Sequence, residues 1–168
     1  MASDVERVLA LVHGARPVIL IDGRSGSGKT ELARELVTRL GAQLVRLDDI
    51  YPGWDGLAAA SERVRTDILL GNRWRRWDWA TEAQAEWNDL DPTRPLVVEG
   101  SGALSKTNRE LATLGIWVEL DEPTRKARAL ARDGAIYEPH WDAWAAQEQR
   151  FFDRERPDLL ADLVLTGD

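Results

Sequence analysis

Apolar and polar positions along the chain fall into two alternating rhythms. The unbroken apolar run Val18-Ile19-Leu20-Ile21 reads as a strand buried on both faces, Pro95 to Gly100 as another buried strand, and Ala42 to Leu47, Ile116 to Leu120 and Leu163-Val164-Leu165 as further strands. Between them lie segments with apolar residues three and four apart. Residues 4–13 carry Val5, Val8, Leu9 and Val12 behind a Ser3/Glu6 capping box and predict a short helix. Residues 29–40 bury Leu32, Leu36 and Leu40 before Gly41 stops the helix. Further helices are expected over Leu57 to Leu70, Ala80 to Asn88 and residues 105–114. Another begins behind Asp121, with Pro123 in its first turn, and ends at Asp133-Gly134. A flexible piece is expected from there to Pro139, followed by a long helix from His140 to Arg154. Strands alternating with helices imply an α/β fold: a parallel β-sheet flanked by helices in three layers. At 168 residues one domain is expected.

The first apolar run opens onto Gly23-Arg24-Ser25-Gly26-Ser27-Gly28-Lys29-Thr30, which matches the phosphate-binding pattern G-x-x-x-x-G-K-[ST]. Its three glycines let the backbone curl around a phosphate and turn successive N–H groups inward at a helix N-terminus. Lys29 is placed to neutralise terminal phosphates, and the Thr30 hydroxyl to hold Mg²⁺. The second and third strands end on carboxylates, Asp48-Asp49 and Glu99, where an open α/β sheet gathers its ligand groups. Near a phosphate loop, such acids suggest a base and a metal contact. Arg128 and Arg132, four apart on one helix face, could close over a transferring phosphate.

Composition removes other chemistries. The chain has no cysteine and two histidines, too few for thiolate or histidine metal clusters, and the absence of cysteine agrees with a cytoplasmic address. Its net charge of −7 argues against nucleic acid as a partner, and no apolar run is long enough to span a membrane. Five of the eight tryptophans lie between Trp54 and Trp87. The run Arg73 to Trp79 alternates cations with indoles; it reads equally as a pocket wall for one ring or as an edge element packed on its own tryptophans.

GTPase signatures are missing, since the third strand runs Val98-Glu99-Gly100 and no Asn-Lys-x-Asp follows. The order of parts is instead similar to the uridine kinase and nicotinamide riboside kinase group of P-loop kinases. The resemblance runs across residues 17–166 and is carried by GRSGSGKT, LDDIYPGWD, RWDW, VVEG, the arginine helix with RD at 132–133, and HWDAWAAQEQRFF. It implies ATP or GTP and Mg²⁺ as cofactors and a nucleoside or similar small metabolite as partner. It implies Asp48 as the base that takes the acceptor hydroxyl's proton, and Glu99 as a direct or water-mediated contact to Mg²⁺, with Asp49 beside it. It further implies acceptor contacts from Tyr51, Trp54, Arg76 and Asp78, and a short lid about residues 133–140. Two alternatives stay open: a cytidylate kinase-like monophosphate kinase, using Arg75 and Arg76 for the extra anion, and a nucleotide-binding module without transfer.

Overall fold

The protein is described by a computed structural model over residues 2–167. Its sheet consists of β1 (Val18–Gly23), β2 (Gln43–Arg46), β5 (Leu96–Glu99), β6 (Leu114–Glu119) and β7 (Leu163–Thr166). These strands are all parallel, in the order β2-β5-β1-β6-β7. β1 is central and buried along its whole length, as an unbroken apolar run requires.

Alternation along β1 splits the core in two. Ile19 and Ile21 face α1 (Asp4–Leu9) and α2 (Lys29–Leu40), packing with Val5, Val8, Leu32, Ala33 and Leu36. Val18 and Leu20 face the opposite layer, as the two-residue period of a strand dictates. That layer contains α3 (Leu57–Arg63), which runs on into a π-helical turn over Val64–Leu69, α5 (Glu122–Tyr137) and α6 (Trp141–Glu155). Helix, sheet and helix make the expected three layers. Two short helices, α4 (Lys106–Glu110) and α7 (Pro157–Leu160), precede β6 and β7 respectively.

Three expectations are corrected. α1 stops at Leu9 rather than reaching residue 13; its end tightens into turns closed by Leu11 N–H to Val8 O (2.9 Å) and Val12 N–H to Leu9 O (3.2 Å). Residues 80–88, rich in helix formers, are not helical: Ala83–Asp89 form β4, antiparallel to β3 (Arg73–Asp78) in a separate two-stranded sheet. Cross-strand pairing overrides local propensity there, through the Arg73 guanidinium 4.2 Å from the Trp87 ring and Arg76 Nε donating to Glu86 at 2.8 Å. Asp78 accepts the N–H groups of Ala80 and Thr81 and folds the turn. Finally, the chain after Asp133 remains helical. Gly134 breaks the path of α5 with φ 50° and ψ −128°, helical turns resume to Tyr137, and a 3₁₀ turn over Glu138–His140 leads into α6.

Candidate active site

The phosphate loop leaves β1 at the C-terminal edge of the sheet and feeds directly into α2. Gly26 and Gly28 hold φ of 82° and 99°, a region costly for any residue with a Cβ, and a Cβ on Gly26 would collide with the Arg125 carbonyl. Lys29 is buried, its Nζ donating to Arg24 O at 3.1 Å. The Thr30 hydroxyl donates to Glu99 Oε1 at 3.0 Å, so the loop and the end of β5 present two adjacent oxygens. A hydroxyl and a carboxylate side by side, with room for water, suit Mg²⁺, which takes few protein ligands and keeps its waters. Among the described residues no group of three acidic or histidine side chains forms a larger metal site.

Arg128 and Arg132 lie across the loop on α5, lining a cavity of about 610 Å³ with Gly26, Gly28, Lys29 and Thr30. Arg132 Nη2 is 2.8 Å from Asp133 Oδ2. After β2 the chain tightens into a 3₁₀ turn over Leu47–Asp49, which turns Asp48 toward the loop. Asp48 shares one small cavity with Lys29, Thr30, Glu99 and Arg132. Arg46 spans the acids, donating to Glu99 Oε1 at 3.3 Å and to Asp48 Oδ2 at 3.4 Å. Asp49 is half-buried and lines the other side, away from Thr30 and Glu99. Loss of solvent raises its carboxyl above the usual range, against the pull of Arg46.

That other side is an aromatic hollow of about 310 Å³, walled by Tyr51, Trp54, Trp79, Tyr137 and Trp144, with Asp48, Asp49 and Asp133 at its rim. Trp54 stacks on His140 at 4.1 Å and 6°, and meets Tyr137 at 5.5 Å and Trp79 at 5.1 Å. The Trp79 indole N–H donates to the Asp48 carbonyl at 2.9 Å. Tyr51 and Trp54, expected to contact the acceptor, both line this hollow. Arg76 and Asp78 do not line the hollow: Arg76 is spent on Glu86 and Asp78 on its own turn. Of the tryptophan-rich run only Trp79 reaches the hollow, while Trp74 packs on the core and Trp87 under Arg73.

Sequence reasoning missed Tyr137, at the end of α5, and Trp144, whose only signal was the aromatic spacing in the final long helix, and two buried carboxylates. Asp22 accepts N–H groups from Gly23 (2.7 Å), Gly102 (3.2 Å) and Leu104 (2.8 Å), tying the loop to the chain beyond β5. Burial pushes its carboxyl up to about 6 in spite of these donors and the Lys29 charge. The native chain thus binds this proton more tightly than the unfolded chain, whose value is near 3.8. The associated stability is complete below that lower value and is lost as pH rises through about 6, a change on the order of 3 kcal/mol. Asp22→Asn is expected to abolish this slope in urea midpoints measured across the window. Below that window it should cost roughly 1–3 kcal/mol, because an amide offers one acceptor oxygen to three donors, and above it the cost should be offset, because the variant buries no charge.

The strand order, with the loop after the central strand, gives the chain the three-layer α/β fold of the P-loop kinases. No family model matches the chain. In sequence it is similar to uridine kinase of Leuconostoc citreum (strain KM20), 29% identical over 148 residues covering 71% of this chain and 70% of the relative. In structure it is similar to a possible uridine kinase of Bacillus stearothermophilus, with TM-score 0.65 and 21% identity over 96% of this chain and 94% of the other. A structure assigned to a fructose transport system kinase of Silicibacter sp. TM1040 follows, with TM-score 0.59 and 18% identity over 95% and 96%. The resemblance is to uridine kinase-like P-loop kinases, enzymes that act on small molecules. No helix among the described residues is long and apolar enough to cross a membrane.

Proposed function

We propose that this chain is an ATP- and Mg²⁺-dependent kinase that transfers the γ-phosphate to a hydroxyl of a nucleoside or similar small metabolite. One observation carries the reading: Asp48 borders both the cavity of Lys29, Thr30 and Glu99 and the aromatic hollow. A carboxylate at that junction can orient a hydroxyl bound on one side toward a phosphate bound on the other.

The loop N–H groups and Lys29 bind the terminal phosphates, and Arg128 and Arg132 stabilise charge on the group in transit. Thr30 and Glu99 hold Mg²⁺, which when bound neutralises phosphate oxygens. Asp48 takes the proton as the acceptor oxygen forms its bond to phosphorus and the bond from phosphorus to ADP breaks. Tyr51, Trp54 and Trp79 receive the flat part of the acceptor. Asp49 contributes to the acceptor side more than to the metal.

The hollow favours an unphosphorylated acceptor over a monophosphate. Its rim is acidic, its cation Arg132 is paired with Asp133, and Arg75 and Arg76 are engaged inside the hairpin. With γ-labelled ATP, label is expected on uridine or another unphosphorylated nucleoside or metabolite. Diphosphates formed only from monophosphates would overturn the acceptor class, and ATP binding without label on any acceptor would leave a binding module.

A further inference from the structure

The second buried carboxylate lies outside the mechanism above. Glu148, on α6, is 5% exposed, a rare place for a glutamate unless its charge is used. Its Oε2 accepts the Ser25 N–H at 2.6 Å, a donor within the phosphate loop itself, and lies 2.7 Å from the Ser101 hydroxyl. Ser101 Oγ is also 3.0 Å from Gly23 O, and the Ser101 carbonyl accepts the Tyr51 hydroxyl at 2.7 Å. One carboxylate thereby joins the loop, the chain two residues beyond Glu99 and a wall of the acceptor hollow.

Its neighbours divide the task. Gln147 is buried and reaches the acceptor side, donating to Trp54 O at 2.6 Å and accepting the Leu57 N–H at 3.3 Å. Gln149 accepts from Arg24 Nη1 in the phosphate loop at 2.8 Å. Three consecutive residues of one helix hold both halves of the site.

We infer that Glu148 is a positioning residue for the nucleotide: by holding the Ser25 N–H and the Ser101 hydroxyl it keeps the phosphate loop in its binding shape, while Gln147 performs the matching task for the acceptor loop. The inference rests on the kinase reading. Without the carboxylate, Ser25 loses its backbone bond to α6, the Arg24–Gln149 contact alone ties this part of the loop to the helix, and the inward N–H groups that follow are less firmly directed. A glutamine at 148 retains an acceptor oxygen for Ser25 and Ser101, so the bond rather than the charge is what counts.

The test is titration of the full chain with a fluorescent ATP analogue in Mg²⁺, comparing Glu148→Ala, Glu148→Gln and Gln147→Ala. Glu148→Ala is expected to weaken binding about tenfold, the scale of one buried donor left without its acceptor, with Glu148→Gln restored to within about threefold. Gln147→Ala, an equally buried change on the same helix, is expected to leave nucleotide affinity within about twofold. Equal losses in Glu148→Ala and Gln147→Ala would reduce the effect to general damage to α6, and wild-type affinity in Glu148→Ala would overturn the inference while leaving the kinase intact. If Glu148→Ala does not fold, Ser101→Ala, which removes the hydroxyl beside Glu148, should weaken binding about threefold, and wild-type affinity there would overturn the inference equally. Absence of nucleotide binding by the wild-type chain would overturn the kinase reading and this inference with it.

Discussion

Asp48→Asn is expected to lower turnover by about two to four powers of ten while ATP-analogue affinity stays within about twofold. The two effects separate because Asp48 is outside the phosphate loop. Its side chain is exposed and its polar side-chain partner is Arg46, from which an asparagine oxygen can still accept. The Trp79 indole binds the backbone carbonyl of residue 48, which the substitution leaves in place. What the variant loses is the basicity needed to receive the acceptor's proton. Steady-state turnover set beside equilibrium titration checks this, and unchanged turnover would remove Asp48 from its role.

Lys29→Ala should instead damage binding and turnover together. Lys29 is a buried cation in an acidic chain, aimed across the loop and bonded to Arg24 O. It is placed to interact with bound phosphate before transfer and more strongly as charge builds during it. Affinity for the ATP analogue is expected to fall by about ten- to a hundredfold, the value of one or two charge-assisted bonds, and turnover by about a thousandfold. An enzyme indifferent to the change would defeat the kinase reading.

The parallel sheet was legible because strands covered on both faces spell continuous apolar runs, as Val18 to Ile21 does. The loop was legible because close backbone approach to phosphate restricts composition, and Gly26 has no room for a Cβ. Strand-end acids were found by position alone, which located Asp48 and Glu99 but could not separate Asp49, since one residue along a 3₁₀ turn points to a different cavity. Long-range partners were illegible. Asp22 answers to Gly102 and Leu104, and Glu148 to Ser25, and nothing local marks either acid. The hairpin failed for the opposite reason: Ala83 to Glu86 carries strong helix formers, and only Arg73 and Arg76 across the ladder make it a strand.

That hairpin divides labour within the molecule. Its ladder is separate from the main sheet, its arginines are satisfied by its own Glu86, Trp87 and Ala85 carbonyl, and it lends the hollow one indole, Trp79, from the end of β3. The groups proposed to bind phosphate sit on the sheet edge, on α2 and on α5. On the proposed kinase reading, selection on the acceptor can act on this hairpin by retuning the single side chain it lends the hollow, while the proposed phosphate-binding groups stay as they are.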